Sequence, residues 1–325
     1  MMNPMFRYAG AIVVSALLVP SGYAADQYPY KPVRIILPGP PGGGADLLAR
    51  VLGQRLTTDL GQTFVIDNRP GAGGMLGMDL AAKAAPDGYT IVMGNSGPNA
   101  VIPNLVKNVP YDPIKDFSPI SLVASAANLL VVPQSVQAHS VSDLVQLAKS
   151  KPGQMTYASG GNGQASHLAA ELFKLMAGIN VIHVAFKGSG PAVLDLVGGR
   201  VDMMFSNIPS AMPQINAGKI RALVVTSATR SKLVPKLPTM AESGVPGYES
   251  SQWYGLLAPA KVPGTIVSTL ATKVSIAVKA DEINSVLFKQ GFDPIGSTQG
   301  EFGDHIRKEL VKWKKVIEAG KISAE

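Results

Sequence analysis

From Val33 onward, short apolar runs alternate with amphipathic stretches. Residues 33–37 read as a buried strand. Leu47, Leu48, Val51, Leu52 and Leu56 then fall on one helical face, and Gly61 ends that helix. A strand at 64–66, a helix at 75–84 and a strand at 90–93 complete a βαβαβ rhythm. Such a rhythm predicts a parallel sheet covered on both faces, because parallel crossovers require helices. After a turn-rich stretch at 111–119 the rhythm restarts with a strand at 129–132. Ser140 with Asp143 resembles a capping box opening a helix at 141–149. Further strands are expected at 155–158, 181–186, 202–205 and 221–226, with helices near 165–176 and 191–197. A second turn-rich stretch at 235–247 precedes a strand at 253–258, and the chain ends in helices at 266–279 and 301–319.

Two βα systems are thus separated by two polar, Pro-rich passages, near 116–124 and 236–250. Two crossings imply a second lobe inserted into the first, with the C-terminal helices returning to lobe one. The expected division is 25–124 plus 251–325 for lobe one and 125–250 for lobe two. Open α/β sheets bind ligands at the carboxyl ends of their strands, which places a site in the cleft between the lobes.

Composition narrows the function. The 325 residues are 46% hydrophobic and 16% charged, enough apolar material for a core and too little charge for a disordered chain. The formal charge of +7 is a mild bias, and no Lys/Arg cluster with interleaved aromatics occurs, so nucleic acid is excluded as a partner. There is no cysteine, and His139, His167, His183 and His305 are scattered, none at a ligand spacing from another. Disulfides and thiol chemistry are ruled out, and neither a metal nor a cofactor is expected. At the N-terminus Arg7 precedes an apolar run from Ala9 to Val19, followed by Gly22-Tyr23-Ala24. The run is too short to span a bilayer and suits a signal peptide over residues 1–24, so a periplasmic mature protein is expected.

A chemical pattern recurs where strands pass into helices. PGPPGGGAD (38–46), NRPGAGGMLG (68–77), YASGGNGQASH (157–167) and FKGSGP (186–191) each put glycine-flexed backbone at a helix N-terminus. Free N–H donors and the positive end of the helix dipole favour anions there. Nucleotides are disfavoured, since G-x-G-x-x-G would need glycine where Leu76 stands, and no glycine run ends in Gly-Lys-Ser/Thr. Asp46 would repel an anion if it pointed inward, and is expected to cap the helix and fix the loop. Nucleophilic catalysis is the rival: Ser159, Ser166 and His167 lie close together, and Asp202 follows. No G-x-S-x-G elbow surrounds Ser159, however, and no carboxylate pair suits acid–base work, so no catalytic residue is assigned.

Taken in order, PGPPGGGAD, NRPGAGGMLG, VIHVAFKGSGPAV (181–193), GGRVDMMFSNIPS (198–210), IRALVVTSATR (220–230) and WYGLLAPAKVP (253–263) resemble one family. It is that of the extracytoplasmic solute receptors of tripartite tricarboxylate transporters, the Bug family, and the likeness runs over nearly the whole mature chain. The resemblance implies an α/β clamshell of two lobes and two crossovers, the type II-like Venus-flytrap fold of periplasmic binding proteins. It also implies a monomer that captures a small carboxylate and delivers it to membrane permease subunits. Carried over, the family's binding loops point to Gly42, Gly43, Gly44, Ala45 and Asp46, with Ser159, Gly160, Gly161 and Asn162 opposite. Gly73, Gly74, Ser96, Lys187, Ser189, Ser206, Asn207 and Trp253 are further candidates. Two departures stand out: Ala185-Phe186 where the family often has Pro-Tyr, and Ser206 where it often has Asp. The first makes the site more apolar and the second less hostile to an additional anionic group. Alternative readings are an exported enzyme acting on a carboxylated substrate, or a receptor linked to a sensor.

Overall fold

The computed structural model describes residues 28–323, so the expected signal segment lies outside the described residues. The first third alternates as the pattern predicts: β1 (Val33–Leu37), α1 (Gly44–Leu60), β2 (Phe64–Asn68), α2 (Met75–Ala82), β3 (Thr90–Asn95) and α3 (Ile102–Leu105). A 3-10 turn at Ala72–Gly74 leads into α2, and a π-helical turn at Gly97–Val101 leads into α3. β1 lies between β2 and β3 and runs parallel to both. Its side chains are buried except for half-buried Arg34, as expected of a strand covered on both faces.

The 17-residue strand β4 (Phe117–Pro133) then leaves this half of the molecule. The inserted half contains α4 (Val141–Ser150), β5 (Thr156–Ser159), α5 (Ala165–Ala177), β6 (Ile182–Ala185), α6 (Ser189–Val197), β7 (Met203–Asn207), α7 (Ile208–Asn216) and β8 (Ile220–Val225). The chain returns through β9 (Ser251–Pro259) and finishes with α8 (Gly264–Lys279), α9 (Asp281–Lys289), β10 (Asp293–Pro294) and α10 (Gln299–Gly320). Ser140 Oγ accepts from Asp143 N–H at 3.1 Å, so the predicted cap on α4 is present, and the Asp143 carboxylate reaches back to accept from His139 N–H at 2.9 Å.

β4 and β9 hold the two halves together. They pair antiparallel from Phe117 opposite Pro259 to Ala127 opposite Ser251, and from Asn128 onward β4 pairs with β7 and β8 instead. This corrects two expectations. The polar, Pro-rich passage expected near 116–124 is largely the first half of a long strand, and the sheet is mixed, because both crossing strands run antiparallel to their neighbours. The strand is hidden in the sequence because both its faces are covered, which removes the polar–apolar alternation. Pro119 is accommodated at a register shift, where its missing N–H leaves the ladder intact.

The strand pleat sends alternate side chains of β9 to opposite faces. Trp253 and Gly255 turn toward α10. Trp253 is 1% exposed and lies edge-on to Phe302, with ring centroids 5.6 Å apart. The indole N–H groups of Trp253 and Trp313 both donate to Glu309 Oε2, at 3.1 and 2.9 Å, and Lys312 pairs with Glu309 and with Glu249. A carboxylate this buried is tolerated because its oxygens are partnered. Gly255 lies directly beneath the Phe302 ring, where a Cβ would collide with the ring carbons. Gly255→Ala is therefore expected to destabilise the fold by about 1–3 kcal/mol through overpacking. Urea unfolding measures this, and an unchanged midpoint would contradict the close packing of α10 on β9.

Candidate functional site

Three adjoining chambers line the cleft between the halves. The first, about 330 Å³, is bounded by Ala126, Asn128, Gly160, Gln164, Ala165, Ser166, Gly188, Ser189, Asn207, Gln252 and Tyr254. A second, about 400 Å³, shares Ala126, Asn207 and Tyr254 with it and adds Gly42, Gly43, Gly44, Leu47, Phe292 and their neighbours. The third, about 530 Å³, shares Gln164, Ala165 and Gln252 with the first and extends over Gly73, Met75, Pro98, Val101, Ile102, Leu105 and Val106. No Asp, Glu, Lys, Arg or His lines any of the three among the described residues. A larger depression, about 700 Å³, lies between α8 and the start of α10, bordered by Lys279 and Glu301 and touching none of the glycine-rich turns.

The cleft obtains its polarity from the backbone. α1 begins at Gly44 behind Gly43, α5 at Ala165 behind Gln164, and α6 at Ser189 behind Gly188, and none of these starts has a side-chain cap. The first turn of a helix has N–H groups without an intrahelical acceptor, and here they open on the chambers. By contrast α4, α7 and α10 are capped by Ser140, Asn207 and Thr298. α8 and α9, away from the chambers, also lack caps, but α9 carries Asp281 and Glu282 in its first turn.

Charged and titratable groups stand one layer behind, holding the turns in shape. Asp46 is not the helix cap expected of it. It sits in the third position of α1, where its carboxylate accepts from Gly42 N–H at 3.0 Å and from Asn68 Nδ2 at 3.1 Å, and binds Arg50 through two contacts. Its pKa is lowered to about 2, chiefly by the Arg50 hydrogen bond, so it remains an anion turned away from the cleft. Across the cleft, Ser159 is fully buried, with its hydroxyl 2.6 Å from His183 Nε2 and accepting from Gly161 N–H. Gly160 N–H donates to Ser166 Oγ and Gly163 N–H to His167 Nδ1, both at 3.0 Å. The His167 and His183 rings stack with centroids 4.1 Å apart, and Tyr157, whose hydroxyl donates to Glu171, stacks on His183.

These contacts sort the predicted residues. Gly42, Gly43, Gly44, Gly73, Gly160, Asn162, Ser189 and Asn207 border the chambers. The side chains of Ala45 and Asp46 do not, although their N–H groups belong to the open turn of α1. Gly74 is buried, and a Cβ there would lie 3.0 Å from the Pro38 carbonyl oxygen, so its role is packing. Ser96 is committed to Gln252, donating to Oε1 at 2.7 Å. Ser159 and Ser206 are fully buried, Gly161 N–H is used within its own turn, and Lys187 is exposed outside the chamber walls. Trp253 faces the core. Asp202 accepts from Thr156 N–H and Oγ1 and does not join Ser159.

Sequence reasoning missed two polar residues of the cleft floor. Gln252 and Tyr254 flank Trp253 on β9 and take the opposite face, a placement that period-2 alternation would have supplied. Burial pushes the Tyr254 hydroxyl up to about 12, keeping it a neutral donor, and it lies 2.7 Å from where a Cβ on Gly44 would stand. Asn128 is 7% exposed and lines the first chamber, and its Nδ2 has no hydrogen-bond partner. A buried, unpaired amide donor in the wall of a cleft is costly unless a ligand satisfies it.

The fold and cleft define a receptor of the periplasmic solute-binding class. The sequence profile of the tripartite tricarboxylate transporter family receptor, TctC, matches residues 48–322. BugT of Bordetella pertussis is 36% identical over 307 residues, covering 94% of each chain. A protein of R. palustris solved with adipate is 38% identical with a TM-score of 0.75, over 91% of this chain and 99% of that one. MatC of Rhodopseudomonas palustris, solved with bound malate, is 31% identical with a TM-score of 0.71, over 89% and 100%. The chain belongs to the tripartite tricarboxylate transporter receptor family.

The histidine stack also has a titration signature. Burial, followed by the neighbouring His183, lowers the His167 pKa from 6.5 to about 4, and burial lowers His183 and His305 as well. The unfolded chain therefore binds more protons than the folded one as pH falls from 6.5 toward about 4, and stability decreases across that window. In His167→Asn the amide oxygen can still accept from Gly163 N–H but does not titrate, so the slope of stability against pH is expected to be shallower. An unchanged slope in urea titrations at several pH values would contradict this placement.

Proposed function

We propose that this chain is a periplasmic receptor whose two lobes, 25–124 plus 251–325 and 125–250, close on a small carboxylate and present it to membrane permease subunits. The supporting observation is the uncharged cleft onto which α1, α5 and α6 open uncapped first turns from opposite sides. A carboxylate there replaces water with backbone donors, each charge-assisted bond contributing about 1.5–3 kcal/mol. Closure strengthens those bonds by excluding solvent. The adipate and malate bound by two related receptors support the ligand class. Residues 1–24 serve as the export signal in this reading.

Ligand capture without turnover fits the geometry. Ser159 and His183 are close enough for a nucleophile–base pair, but the serine has no exposed surface and its hydroxyl is occupied by the turn it supports. Reversible binding requires fixed donors and a hinge, not a reactive side chain.

Asn128 separates binding from folding. Asn128→Leu removes a donor that is unpaired without ligand, so unfolding stability is expected to stay within about 1 kcal/mol of wild type. The affinity for the tightest-binding member of a carboxylate panel is expected to fall at least about tenfold by titration calorimetry. Equal affinity in the variant would remove this chamber from the site.

A further inference from the structure

The third chamber shares the start of α5 with the first but has one continuous apolar wall. Its wall on the first half of the chain is Met75, Pro98, Val101, Ile102, Leu105 and Val106. Met75 comes from the start of α2, and the rest of this wall from the π-helical turn, α3 and its C-cap, which follow the end of β3. The chamber joins the polar one without a partition, since Gln164, Ala165 and Gln252 line both. Gln252 is held at that junction. Its Oε1 accepts from Ser96 at 2.7 Å and its Nε2 approaches Asn95 Oδ1 at 3.4 Å, so the amide cannot swing freely into the apolar chamber.

On the reading that the cleft binds a carboxylate, we propose that the apolar wall of the third chamber receives the ligand's hydrocarbon body, making this protein a receptor for non-hydroxylated aliphatic or aromatic acids. The carboxylate sits among the open helix starts and Asn128, while the carbon skeleton passes Gln252 and lies against Ile102 and Leu105. Two features of the chamber favour that occupant. It is continuous with the anion-binding chambers, so one molecule spans both. No charged residue lines it, and although Asn95, Asn162, Gln164, Gln252 and Ser323 lie around the rest of it, skeletal hydroxyls held against the Ile102 and Leu105 wall would lose water without regaining partners.

The test uses pairs matched in carbon number and charge: hexanoate against gluconate, and adipate against galactarate, by titration calorimetry on the mature wild-type protein. The proposal expects the unhydroxylated member of at least one pair to bind at least tenfold tighter, with a negative heat-capacity change from apolar burial. Leu105→Asn, checked for wild-type thermal unfolding, is expected to reduce that preference to less than threefold. Equal or tighter binding of the hydroxylated acids would overturn the proposal while leaving carboxylate binding intact. A preference that survives in folded Leu105→Asn would overturn it too. No binding by any of the four acids, nor by a wider carboxylate panel, would instead overturn the carboxylate reading on which the proposal rests.

Discussion

The pairing of β4 with β9 is the constraint on which the rest depends. These are the only two strands by which the described chain passes from one half to the other and back, and they are hydrogen-bonded along the crossing. Everything the cleft presents on its floor follows from their register. Strand alternation puts Gln252 and Tyr254 on the open side and Trp253 and Gly255 under α10. The same pairing carries β4 to Asn128, the residue at which it changes partners from β9 to β7, and there it leaves an unpaired amide donor buried in the chamber wall.

Around that floor the protein handles charge in an ordered way. Carboxylates and imidazoles are present near both glycine-rich turns but are kept behind them. Asp46, held as an anion by Arg50, ties Gly42 and Asn68 together, and Ser159, Ser166 and His167 occupy three N–H groups of the opposite turn. Besides Asn128 and Tyr254, the donors left for a ligand are the first-turn N–H groups of the helices themselves. A site of this kind binds an anion without burying a cationic side chain, which avoids the desolvation cost of a salt bridge and the strong retention that would hinder release.

Much of the architecture was legible. The strands and glycine-rich turns of each βα unit follow from short apolar runs ended by flexible residues, and Ser140 capped its helix as its spacing suggested. What was not legible depends on partners distant in sequence. β4 was read as a strand only at its far end, because its first half is covered on both faces by elements that arrive much later. The donors of Gly160, Gly161 and Gly163 looked available for ligand, yet their acceptors are Ser166, Ser159 and His167, set by the fold of the turn. Trp253 was carried over as a candidate from the family resemblance, whereas its two neighbours on the strand line the cleft.

The central claim is that first-turn backbone N–H groups from both halves hold the ligand carboxylate. Amide proton shifts test it most directly. In a 15N-labelled sample titrated with its tightest-binding carboxylate, the account predicts the largest downfield shifts among Gly44, Ala45, Ala165, Ser166 and Ser189, on both sides of the cleft. Shifts confined to one half, or centred on the groove between Lys279 and Glu301, would contradict it.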